Sequence, residues 1–60
     1  MKYRIVVYRD RKREFRWRIL HRNGRIVADS AEGYVRRASC VRSVKNLAKA
    51  LSGAKIVFDA

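Results

Sequence analysis

One thiol, Cys40, and one imidazole, His21, are the residues from which this chain of 60 could assemble a nucleophile and its base. That chemistry needs the two within hydrogen-bond reach, with the thiolate favoured by a nearby positive charge. Their settings point elsewhere. Cys40 falls among apolar residues at helical spacing, where a thiol packs as a small inert hydrophobe. His21 falls beside a turn, in a rim position. Acid–base work by paired carboxylates would draw on Asp10, Glu14, Asp29, Glu32 and Asp59, and the strand map set out below scatters them. Nothing has metal-ligand spacing. The expectation is therefore a non-enzymatic chain with no catalytic residue, no cofactor and no small-molecule substrate.

Charge is the stronger signal. Lysine and arginine total 16 against 5 acids, a formal net charge of +11. Such an excess creates a positive field that attracts polyanions, nucleic acid first and an anionic membrane surface second. The arginines are also patterned. In Glu14-Phe15-Arg16-Trp17-Arg18-Ile19-Leu20 they alternate with aromatic and aliphatic groups. A period of two is that of a half-buried β-strand, with guanidiniums on one face and apolar groups on the other.

The elements that would position these groups follow from the same periodicities. Residues 2–9 form a first strand, with Tyr3, Ile5 and Val7 on one face and Arg4, Val6 and Tyr8 on the other. The charged run Asp10-Arg11-Lys12-Arg13 interrupts the pattern and makes the exposed tip of a hairpin. The second strand covers 14 to 20 or 21. Asn23-Gly24 then signals a two-residue type I′ turn, whose central positions both need positive φ. That turn sets Arg22 opposite Arg25, His21 opposite Ile26, Leu20 opposite Val27, Ile19 opposite Ala28 and Arg18 opposite Asp29. Phe15, Trp17, Ile19, Ile26 and Ala28 then share the core side.

From about 36 to 51, Cys40, Val41, Val44, Leu47, Ala48 and Leu51 recur every three or four residues, the signature of an amphipathic helix. Arg42, Lys45 and Lys49 lie on its outer face, and Ser52-Gly53 is the stop, with glycine in the left-handed conformation. Residues 54–59 alternate Ile56 and Phe58 against Lys55, Val57 and Asp59, a short last strand. The order β-β-β-α-β implies an α+β fold of two layers, an antiparallel sheet carrying one helix, in a single domain over 1–60. Gly33, in Ser30-Ala31-Glu32-Gly33-Tyr34, is expected to supply a special backbone angle. Tyr34 is expected to pack beneath the start of the helix.

These motifs resemble the YegP-like family of small domains of unknown function. Phe15-Arg16-Trp17-Arg18, Asn23-Gly24-Arg25-Ile26-Val27-Ala28, Ser30-Ala31-Glu32-Gly33-Tyr34 and Arg37-Ala38-Ser39-Cys40 carry the resemblance, which spans roughly residues 5–48. The family's Gly-Ile-x-Ser-Val stretch appears as Ser43-Val44-Lys45-Asn46-Leu47, keeping the apolar spacing and losing the glycine. The resemblance implies a β3-α-β unit that occurs as tandem repeats or as a homodimer, with C-terminal strands exchanged between units. Ile56, Val57 and Phe58 would then form the dimer interface. Small size independently favours self-association, since a chain of this length buries only ~60% of the surface its unfolded form exposes and its lone cysteine forms no internal disulfide.

Nucleic acid, DNA or RNA, is the partner that the charge and pattern favour, with little sequence preference. The candidate contacts are Arg4, Tyr8, Arg16, Arg18, Arg22 and Arg25 on the sheet face turned from the helix, with Arg36 and Arg37 at the helix N-terminus. The competing expectation is a protein-interaction or purely structural dimer. No stretch has the length of a secretory or membrane-spanning segment, which makes a cytoplasmic setting the default.

Overall fold

The computed structural model of the chain describes residues 2–59. Its elements are β1 (Tyr3–Arg9), β2 (Phe15–His21), β3 (Ile26–Asp29), α1 (Arg37–Ala50) and β4 (Lys55–Phe58), in one four-stranded sheet of order β3-β2-β1-β4. The helix packs on β1, β2 and β4 and leaves β3 uncovered. Ile5, Val7 and Ile19 from the sheet meet Cys40, Val44 and Ala48 from the helix, with Ala54 closing one end. Ile5, Val7, Cys40 and Val44 are fully buried. These are the residues that the two periodicities assign to the inner faces.

The sheet is mixed, which corrects the antiparallel expectation. Strand β4 lies parallel to β1 of the same chain, pairing Arg4 with Lys55, Ile5 with Ile56, Val6 with Val57 and Val7 with Phe58. A parallel neighbour requires a crossover, and α1 provides it. Ile56 packs against the chain's own core, Val57 lies on the opposite face, and Phe58 remains 48% exposed.

Both hairpins are built on one plan. In the second, the Gly24 N–H donates to the His21 carbonyl and the His21 N–H to the Arg25 carbonyl, each at 2.8 Å. Only Gly24 has positive φ, at 89°. This is a three-residue loop closed by a left-handed glycine, not the two-residue type I′ turn. The extra loop residue moves the register by one, so Leu20 pairs with Ile26, and a bulge beside it restores Ile19 opposite Ala28 and Arg18 opposite Asp29. Ile26 consequently leaves the core side and is 53% exposed. Ala28 is exposed as well, because no helix covers β3. In the first hairpin the Arg13 N–H donates to the Asp10 carbonyl and the Asp10 N–H to the Glu14 carbonyl. There the left-handed position falls to Arg13, with φ of 63°, a conformation that disfavours a side chain by ~1–2 kcal/mol.

Beyond β3 the chain stays beside β2. Ser30, buried, donates its N–H to the Trp17 carbonyl at 2.8 Å and accepts the Trp17 N–H on its hydroxyl at 3.2 Å. Ala31 to Gly33 loop out, and Tyr34 rejoins Phe15 through two bonds of 2.8 Å. Gly33 has no left-handed φ. It is small because Glu14 lies against its Cα. The helix ends in a Schellman arrangement, with the Ser52 N–H on the Lys49 carbonyl and the Gly53 N–H on the Ala48 carbonyl. Ser52, at φ of 58°, takes the left-handed position ahead of Gly53.

Candidate functional site

The sheet face away from α1 is where most of the candidate residues gather. Alternation on β1 directs Arg4, Val6 and Tyr8 to it, and pairing with β2 brings Arg4 beside Leu20, Val6 beside Arg18 and Tyr8 beside Arg16. Val6, Tyr8, Arg18 and Leu20 are half-buried, while Arg4 is exposed. The Arg18 guanidinium carbon lies 4.2 Å above the centre of the Tyr8 ring, so charge and two stackable planes are combined in one pair.

Arg16 is differently employed. Its Nε donates to Oδ2 of Asp10 at 2.7 Å, and its Nη1 approaches the Ser30 carbonyl at 3.5 Å. Oδ1 of Asp10 meanwhile accepts the N–H groups of Lys12 and Glu14 at 2.9 and 3.0 Å. The carboxylate thus organises the first hairpin, and Arg16 is held to it. The Glu14 N–H, followed by the Arg16 guanidinium, keeps the Asp10 carboxyl below its ordinary value.

A group whose folded pKa is depressed stabilises the fold above its unfolded pKa, and loses that contribution as pH falls through the folded one. Asp10→Asn should therefore lower the thermal midpoint at pH 7, and the gap from wild type should close as pH falls below the ordinary Asp value of ~3.9 and through the lower folded one. Thermal denaturation of both proteins along an acid series checks this.

The parallel seating of β4 adds two residues that the sequence pattern did not mark as binding groups. Lys55 comes beside Arg4, and with Tyr3 and Arg22 these line a hollow of about 280 Å³. Three cations on one hollow suit a phosphate. Asp59, whose N–H donates to the Val7 carbonyl at 2.7 Å, joins Tyr8 and Arg18 at a second hollow of about 470 Å³. Arg25 stands apart, exposed on the second hairpin with its N–H on Oδ1 of Asn23.

Arg36 and Arg37 are not on this face. Arg36 is the N-cap of α1 and makes no side-chain cap bond. Arg37 places its guanidinium 5.1 Å from the centre of the Phe58 ring, on the helix side of the sheet. The two groups weighed for chemistry are likewise separated in role. Cys40 is fully covered in the helix–sheet core, and burial pushes its thiol up. The His21 ring stands edge-on to Tyr3 at 5.6 Å. Among the described residues, no three of the His, Cys, Asp and Glu side chains cluster as metal ligands would, and no helix is long and apolar enough to cross a membrane.

The family described as a domain of unknown function, DUF1508, matches residues 10–57, from the first hairpin loop to the middle of β4. The chain belongs to the DUF1508 family. This accords with the YegP-like motifs in the sequence. Among relatives of this DUF1508 domain, the UPF0339 protein Atu5359 of Agrobacterium fabrum is 36% identical over 55 residues, covering 92% of this chain and 87% of that protein. An NMR solution structure of a protein from Haloferax volcanii shares the fold, with a TM-score of 0.70 and 30% identity over 93% of each chain.

Proposed function

We propose that this DUF1508 domain is a small non-enzymatic module that binds single-stranded nucleic acid on its open sheet face. The Arg18–Tyr8 stack at 4.2 Å, on a face that also presents Arg4, Arg22 and Lys55, carries the reading. A base stacks on the aromatic or guanidinium plane, and the flanking cations take the backbone. Arg25 extends the basic strip, Arg16 contributes charge while remaining tied to Asp10, and Arg36 and Arg37 belong to a separate patch at the helix start. A cytoplasmic setting is part of the same reading.

The module is further proposed to act as a homodimer through β4. An open strand edge and the half-exposed Phe58 support this. Exchange of β4 between two copies, pivoting at 51–54, would keep the β1–β4 rungs while making them intermolecular, with Ile56, Val57 and Phe58 at the junction. The exposed Ile26 and Val27 on the opposite edge favour the second reading, a protein-interaction domain.

Anisotropy of labelled single-stranded and duplex oligonucleotides, titrated across ~50 to 300 mM salt with protein of known solution mass, tests the main reading. A Tyr8→Ala/Arg18→Ala variant should bind single strands ~5-fold or more weakly, since one base stack is worth about 1–3 kcal/mol. An Arg42→Ala/Lys45→Ala/Lys49→Ala variant on the helix should lose less. A larger loss in the helix variant, or binding that vanishes by ~150 mM salt, would overturn the assignment.

A further inference from the structure

We infer that the hollow between Tyr8, Arg18 and Asp59 is a subsite for an unpaired guanine. The inference rests on the single-strand reading above and narrows it to one base.

The hollow measures about 470 Å³, within the ~300–1,000 Å³ range of small-ligand sites. Its composition is unusual for a chain of net charge +11. Val6 and Leu20 contribute apolar surface, the Arg18 guanidinium lies on the Tyr8 ring, Arg9 also lines the hollow while its guanidinium sits 5.1 Å from the centre of the Phe15 ring, and the one carboxylate among the lining residues is Asp59. Asp59 offsets the arginines here and makes this hollow less favourable to a phosphate than the neighbouring one, where Arg4, Arg22 and Lys55 stand with no carboxylate among them. The two hollows therefore divide the labour between base and backbone.

The carboxylate selects among the bases by its hydrogen-bonding capacity. An ionised Asp only accepts, and its two oxygens can receive two parallel N–H bonds. Guanine offers two adjacent donors on its Watson–Crick edge, at N1 and at the 2-amino group. Adenine and cytosine each set one amino donor beside an acceptor, and thymine and uracil set one N–H between two acceptors. Only guanine matches both oxygens. The Asp59 backbone is fixed to β1 by its bond to Val7, and no ion pair or hydrogen bond engages its carboxylate among the described residues. The guanine plane would stack against the Arg18–Tyr8 pair while its edge meets Asp59.

The test uses oligothymidine strands that carry one central guanine, inosine, adenine, cytosine or thymine, titrated by anisotropy against the full chain at ~100 mM salt. The wild-type protein should prefer the guanine strand over the thymine strand about tenfold, in line with the discrimination of a good bidentate contact. Inosine, which keeps N1–H and lacks the 2-amino group, should fall between them. Asp59→Asn should bring guanine level with the other bases and leave the salt slope unchanged. The inosine comparison needs no substituted protein, so it stands even if Asp59→Asn folds poorly. Equal affinity of wild type for all five strands would overturn the guanine subsite while the single-strand module survives. Failure to bind any strand would overturn both.

Discussion

Ile5→Ala should remove about 2–5 kcal/mol of stability, the usual loss when a large buried aliphatic side chain is cut back in a core that cannot fully collapse. Ile5 is fully buried, with Ile19 across one rung and Ile56 across the other, beneath the helix. A domain of this length has roughly 3–9 kcal/mol in total at the usual ~0.05–0.15 kcal/mol per residue. The loss is therefore a large fraction of the total, and it leaves much of the variant unfolded at 25 °C only where the wild-type value lies at the low end of that range. Val6→Ala, one residue along and on the open face, should lose only ~1 kcal/mol, because Val6 is half-buried and loses little apolar contact. Urea titrations of the two variants, with slopes close to that of wild type, measure the difference. Equal losses at the two positions would mean that the open face is as well covered as the core, and would argue for a partner seated on it.

Gly33→Ala should lose about 1–3 kcal/mol, the range for forcing atoms into occupied space. A methyl group there would come within 2.7 Å of the Glu14 Cβ and 2.5 Å of its Oε1. The carboxylate end could swing away. The Cβ cannot, since it is fixed to the backbone next to Phe15, whose rung with Tyr34 holds the loop against β2. The expected consequence is a parting of that rung, read as faster hydrogen exchange at the Phe15 and Tyr34 amides. At ~4–8 °C per kcal/mol for a domain of this size, the thermal midpoint should fall well outside experimental scatter. A double-mutant cycle separates the cause: Gly33→Ala should remain costly in a Glu14→Ala background and become much milder in a Glu14→Gly background. Equal cost in all three backgrounds would point to a demand on backbone conformation.

Much of the fold is written in local patterns. Alternation at Tyr3, Ile5 and Val7 and at Phe15, Trp17 and Ile19 determined which side of each strand is buried, because successive side chains of a strand must point to opposite faces. The three- and four-residue spacing of Cys40, Val44 and Ala48 did the same for the helix. The motifs from Phe15 to Cys40 were enough to indicate the family. Turn chemistry was legible in position and not in type: Asn23-Gly24 marks a hairpin, yet the two-residue and three-residue loops use the same glycine and differ by one residue of register. That one residue carried Ile26 to the other face.

Only the tertiary structure decided how distant groups meet. A four-residue strand such as Lys55 to Phe58 alternates equally well in either direction and against any neighbour, so nothing local chooses a parallel pairing with β1. That pairing put Lys55 beside Arg4 and Asp59 beside Tyr8. The comb of arginines was likewise uniform in sequence, whereas the folded chain ties Arg16 to Asp10 and lays Arg18 on Tyr8. The sequence by itself thus determined the elements, their buried faces and the positive charge. The assembled sheet determined which charges are engaged and where the hollows lie, because contacts between residues up to about fifty positions apart exist only once the chain has closed on itself.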